Sequence, residues 1–184
     1  MSDAYPLPAD GWPMTERADV PFTPERFCEQ YGPRIYRFAA MVARGDVEAE
    51  DLAQEALIRA LRNLPHFDPN RGNAEAWLWR IVMNAARDAG RVAGRRQALW
   101  DRLVSQRREI PSTESLALSR FDDRDLLKAV RQLPKRDRAL LALRFGADLD
   151  YAAVGRASGL TAAAATMAIR RALAKLRATL EDQP

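Results

Sequence analysis

Five polar residues at helical spacing, Arg80, Asn84, Arg87, Asp88 and Arg91, lie on or near one side of the segment "AWLWRIVMNAARDAGR". Their three guanidinium groups suit phosphate oxygens, while Asn84 and Asp88, one turn apart, can hydrogen-bond base edges. The surrounding charge agrees: from Trp77 to Arg108 there are eight basic and two acidic residues. Trp77, Leu78, Ile81 and Val82 supply the apolar side. A loop containing Pro69 and Gly72 comes just before. Such a loop beside a basic helix can hold an unstacked base of a single strand. Periodicity alone describes equally well a surface helix anchored by a tryptophan.

A second group is acidic. The segment "GDVEAEDLAQEALIRALRNL" holds five acids between Asp46 and Glu55, with no basic residue among them. Acids in a first turn complement the helix dipole. Asp51, Gln54 and Glu55, however, are spaced for one exposed strip, with Leu52, Ala56 and Ala60 on another face. An acidic strip repels DNA, so a protein partner is its better use; a solvated face is the plainer alternative.

The third group is "DYAAVGRASGLTAAAATMAIRRALAKL", which has the grammar of a helix-turn-helix. Asp150 can cap a short helix whose Tyr151, Val154 and Ala157 face inward. Gly159 allows the turn, Leu160 plugs the junction, and Thr161 caps the second helix. The inward stripe runs Ala165, Ile169, Ala172, Leu173, Leu176 and Leu180. The opposite face presents Ala163, Thr166, Met167 and Arg170, with Arg171 at its edge. Arginine can read guanine, and Ala or Thr methyl groups can pack on thymine. A packed helical hairpin is the competing description, because small alanines also permit close helix packing.

Positioning these groups takes helices, and the chain is patterned for them from "FTPERF" onward. Helical spacing predicts helices near 24–31, 33–44, 47–64, 74–93, 120–132, 135–145, 151–157 and 162–180. Gly32-Pro33, Gly45, Pro65 to Gly72, Pro134, Gly146 and Gly159 separate them. No stretch alternates as a strand. The expectation is an all-α fold of two helical domains, residues 22–96 and 120–184, joined by a linker at 97–119. Residues 1–21, with four prolines and a net charge of −3, are expected to form a flexible tail. Within 94–119, Leu99, Trp100 and Leu103 fit a short docking helix or a tether.

Composition narrows the function classes. The 184 residues, 47% hydrophobic and 29% charged, suffice for one medium domain or two small ones. A net charge of +4 admits nucleic acid as a partner. Cys28 is the sole cysteine, which excludes an intrachain disulfide and a cysteine zinc cluster and favours a cytoplasmic setting. There is no signal-peptide pattern and no long apolar window, so no membrane insertion is expected. No hydrolase motif, P-loop or metal cluster is present, and no cofactor is implied; the single histidine, His66, reads as a loop side chain.

In this order, the motifs resemble an RNA polymerase sigma factor of the extracytoplasmic-function (ECF) group. "AEDLAQEALIRAL" (Ala49–Leu61) is similar to the family's core-binding helix, and "FDPNRGNAEAWLWRIVMNAARDAGR" (Phe67–Arg91) to its promoter-melting and −10-reading segment. "LPKRDRALLALRF" (Leu133–Phe145) with the helix-turn-helix is similar to the region that reads the −35 element. The resemblance covers about residues 22–180 and implies specific roles. Asp51, Leu52, Gln54 and Glu55 would meet the clamp helices of the largest polymerase subunit. Phe67, Asn70, Arg71, Asn73 and Asn84 would capture a flipped base of the −10 strand, with Asp88 beside them and Arg80, Arg87 and Arg91 on the backbone. Trp77 matches the anchor between loop and helix. Ala163, Thr166, Met167, Arg170 and Arg171 would face the −35 element.

The resemblance also implies promoter DNA as ligand, an anti-sigma factor as a further partner, and no enzymatic activity of the chain's own. One stretch departs from the family: Ala164, Ala165, Thr166, Met167 and Ala168 stand where a Thr-Val pair and basic or polar residues are usual. Fewer phosphate contacts there mean weaker −35 affinity with a flatter salt dependence. Two rivals fit parts of the pattern. A sigma-like decoy for an anti-sigma factor would explain the alanines but not the acidic strip. A dimeric helix-turn-helix repressor would leave both N-terminal surfaces without a role.

Overall fold

The computed structural model describes residues 23–68, 73–103 and 121–181, without the side chains of 96–103 and 121–124. The fold is all-α, with no strand among the described residues. Seven α-helices occur there: α1 (Pro24–Val42), α2 (Asp46–Asn63), α3 (Ala74–Leu103), α4 (Phe121–Gln132), α5 (Lys135–Leu141), α6 (Tyr151–Ser158) and α7 (Ala162–Glu181). A 3₁₀ turn at Leu64–His66 follows α2, and a π turn at Ala142–Gly146 follows α5. The expected tail, and the linker beyond residue 103, lie outside the described residues.

Helix α1 starts where Thr23 Oγ1 accepts the Arg26 amide at 3.3 Å, with Pro24 in the first turn. It does not stop at Gly32-Pro33, as the sequence suggests, but runs through to Val42. An interior proline costs about 3 kcal/mol. Phe27, Tyr31, Ile35 and Phe38, all buried on one stripe, outweigh it at about 1.5–3 kcal/mol each. Helix α2 lies against α1 through Ala49, Leu52, Ala56 and Ala60, where the small side chains let the backbones approach.

Asn73 caps α3, its Oδ1 accepting the Glu75 amide at 2.7 Å and that of Ala76 at 3.4 Å. This helix is longer than the sequence pattern indicates, extending to Leu103 rather than ending near residue 93. Leu99, Trp100 and Leu103 therefore continue α3 instead of forming a separate short helix. Leu78 and Val82 are fully buried, and so is Trp79, which the sequence does not single out. Trp79 packs on Phe38 with ring centroids 5.7 Å apart.

The two sets of helices are not held merely by a tether. One connected core runs from Phe27 through Trp79 and Leu143 to Ile169 and Leu176. At its middle, the π turn presses on α1 so closely that a Cβ on Gly146 would lie 2.9 Å from the Phe38 nitrogen. Arginines satisfy carbonyls along this seam: Arg34 Nε donates to Ala147 O at 2.7 Å and Arg37 Nε to Gly146 O at 3.2 Å. From the other side, Arg131 donates to Ala40 O at 3.3 Å and pairs with Asp46 at 2.9 Å. Carbonyls without such partners would be costly at a packed seam.

Candidate nucleic-acid interface and its acidic neighbour

The basic face of α3 is exposed. Arg80, Asn84, Arg87 and Arg91 all reach solvent on it, and Arg87 Nη1 donates to Asn84 Oδ1 at 3.0 Å. Asp88 sits among them with both carboxylate oxygens engaged, Oδ2 by Arg59 at 2.7 Å and Oδ1 by Arg91. Hydrogen bonds from those two arginines hold its carboxyl below the usual range. At the head of the helix, Phe67 packs on Trp77 with ring centroids 5.3 Å apart. Asn73 is exposed, although its side-chain oxygen is occupied as a cap. Asn70 and Arg71 lie outside the described residues.

On α2, Asp51, Gln54 and Glu55 are exposed side by side. Leu52, grouped with them in the sequence reading, is buried at 6% exposure and supports the strip from behind. Two further residues, both aliphatic, complete the strip. Val47 is 69% and Ile58 42% exposed. At 100° per residue, positions 47, 51, 54 and 58 fall within an arc of about 60°. The signal was in the sequence, as two aliphatic residues off the core face of an acidic helix.

The acidic and basic groups meet in one groove of about 1430 Å³ between α2, the second half of α3 and the start of α5. Asp51, Glu55, Arg59, Arg87, Arg91 and Arg138 are among its lining residues. Arg138 is half-buried, and burial beside Arg44 and Arg131 pushes its guanidinium below the ordinary value.

The C-terminal end has helix-turn-helix geometry. Asp150 Oδ1 caps α6 by accepting the Ala153 amide at 2.6 Å, Gly159 turns the chain at φ 74°, and Thr161 Oγ1 accepts the Ala164 amide at 3.2 Å. A Cβ on Gly155 would lie 2.7 Å from Leu160 O, so the two helices meet at a glycine. Ala163, Met167, Arg170 and Arg171 are exposed and Thr166 is half-buried, its hydroxyl donating to Ala162 O at 2.9 Å. Three expected inward positions differ. Tyr151, Leu173 and Leu180 are 40%, 38% and 39% exposed, while Ala153 and Ala168 are buried in their neighbourhood. On α7 the buried positions 165, 168, 169, 172 and 176 fall within an arc of about 100°, and Leu173 and Leu180 lie just outside it. Lys175 ties α7 to Asp137 of α5 at 2.6 Å.

Comparison with known proteins bears on what these surfaces belong to. Residues 27–96 match the model for sigma-70 region 2, and residues 123–176 that for sigma-70 region 4. The ECF RNA polymerase sigma factor SigW of Bacillus subtilis is 30% identical over 166 residues, covering 83% of this chain and 86% of that protein. The chain belongs to the ECF sigma factor family. Another ECF sigma factor, SigE of Mycolicibacterium smegmatis, is 31% identical over 158 residues and 83% of this chain. The chain spans 60% of the length of SigE and of BldN from Streptomyces coelicolor. In fold, this sigma factor is similar to the sigma factor RpoE solved in complex with the anti-sigma factor NepR from Bartonella quintana. That match has a TM-score of 0.69 at 22% identity and covers 87% of this chain and 98% of that one. Region 2 thus contains both the acidic strip and the basic helix, and region 4 contains the helix-turn-helix.

Proposed function

We propose that this protein binds core RNA polymerase and directs it to promoters, reading the −10 element with α3 and the −35 element with α7. The observation that carries the reading is the side-by-side placement of an acidic strip on α2 and a basic, strand-sized face on α3, in a chain that ends in a helix-turn-helix. Residues 22–96 form the first domain of this activity, 97–119 its linker and 120–184 the second domain. Asp51, Gln54 and Glu55 meet a basic surface of the polymerase, its clamp helices, with Leu52 behind them. Phe67, Asn70, Arg71, Asn73 and Asn84 take a flipped base. Arg80, Arg87 and Arg91 hold the strand backbone, and Asp88 keeps acceptor capacity for a base edge. Ala163, Thr166, Met167, Arg170 and Arg171 face the upstream element.

The protein is a cytoplasmic binding subunit rather than an enzyme. Strand opening draws on binding, because a base held in a pocket offsets an unstacking cost of a few kcal/mol. The family relationship supports control by an anti-sigma factor. Transcription in vitro with core polymerase and a promoter library, sequenced at the start sites, tests the proposal. Specific initiation is expected. Folded protein that binds core but gives no initiation, with no inhibitor present, overturns it. The double variant Asp51→Ala, Gln54→Ala is expected to lower core affinity; unchanged affinity removes the assigned strip.

A further inference from the structure

Arg59 belongs to neither surface as described, yet it touches both. Its Nε donates to Glu55 Oε1 at 2.6 Å, within α2, and its Nη1 donates to Asp88 Oδ2 at 2.7 Å, across to α3. The planar fork of a guanidinium serves two carboxylates at once, which a lysine ammonium does less well. Arg91 engages the second oxygen of Asp88. Glu55, Arg59, Asp88 and Arg91 therefore form a chain of two negative and two positive charges, balanced overall. The side chains are 49%, 36%, 39% and 71% exposed in that order, so partners can reach either end.

That balance has a direction. Asp88 is the acid on a face otherwise made of Arg80, Arg87 and Arg91, and its charge opposes an approaching phosphate. When a basic partner takes the Glu55 carboxylate, the remaining three charges sum to +1 beside the strand. We infer that Arg59 is a positioning residue linking the two surfaces: a partner that draws Glu55 away leaves the guanidinium wholly to Asp88 and tightens strand binding on α3. The two binding events then strengthen one another, as linkage requires. The inference rests on the proposed roles of α2 and α3. It also fits the raised proton affinity of Arg59, which comes first from Asp88 and then from Glu55.

The test needs no polymerase, because Glu55→Gln imitates a carboxylate already drawn off. Binding of the full-length protein to the non-template strand of a promoter recovered by start-site sequencing is followed by fluorescence anisotropy at low salt. Glu55→Gln is expected to tighten binding about two- to fivefold. The gain should vanish in a protein already carrying Arg59→Gln. Asp51→Asn, the same charge change on the same strip without the Arg59 pair, should give a clearly smaller gain. If Arg59→Gln lowers the melting temperature too far, Asp88→Asn breaks the same link from α3 and should abolish the gain likewise. An equal gain with and without Arg59, or from Asp51→Asn, overturns the link. No strand binding by the unaltered protein overturns the assignment of α3 itself, and the link with it.

Discussion

Val47 and Ile58 change the character of the α2 surface from acidic to amphipathic. An acidic strip alone gives a partner attraction that salt screens; exposed aliphatic residues at both ends add area to bury. Val47→Asp or Ile58→Asp is expected to weaken core binding by about tenfold, near 1.4 kcal/mol, in competition assays. The melting temperature should stay unchanged, because neither side chain is in the core. Asp88 offers a pH test. Its carboxyl lies below the ordinary 3.8 in the folded protein, so its stabilisation is present above that value and lost as pH falls through the lower folded value. Asp88→Asn should therefore melt below the unaltered protein at neutral pH, and the gap should close at pH below about 3.8. The strip Asp51-Gln54-Glu55 is visible in sequence because three- and four-residue spacing is local. The Arg59–Asp88 pair is not, because it joins residues 29 positions apart through the packing of two helices.

Single elements depend on where a side chain is absent. Gly155 meets the backbone of the turn between α6 and α7, and a methyl there would need that backbone to shift. Gly155→Ala is expected to cost about 1–3 kcal/mol in thermal or urea melts, and to reduce initiation most at promoters that rely on the upstream element. Arg170→Ala, on the exposed face of α7, should weaken those same promoters by about 1–3 kcal/mol if it reads a base. An equal loss at every promoter would make it a backbone contact. Caps and turn residues made this region legible: Asp150, Gly159 and Thr161 act where their types suggest. The stripe of α7 was less so, since with alanines on several faces periodicity cannot tell which face is covered. Helix α1 departs from its sequence pattern for the opposite reason. Its proline is a strong local signal, and only the buried stripe on either side of it overrides that signal.

At the scale of the molecule, α1 and the π turn join α3 and α7 through one connected core. Elements named for positions −10 and −35 are about 25 base pairs apart, roughly 85 Å of straight duplex. The longest helix, α3, has 30 residues and spans about 45 Å. On the proposed reading, in which α3 and α7 take the two elements, a separation of this size calls for the seam to part. Gly146→Val sets a branched side chain against the Phe38 backbone. It should raise the radius of gyration in X-ray scattering above that of the unaltered protein. It should also split a single melting transition into two. The seam could not be foreseen from sequence, because Arg34, Arg37 and Arg131 recognise backbone carbonyls, which every residue carries.

The contact between Gly146 and Phe38 has a calorimetric consequence. Apolar surface that parts at this seam is rehydrated, which raises heat capacity, while surface buried against the polymerase lowers it. If polymerase association parts the seam, it should show a smaller negative heat-capacity change than its interface area implies. Because hydrophobic contacts weaken on cooling, the cost of parting the seam should also fall in the cold. Assembly that parts this seam would therefore be temperature-dependent.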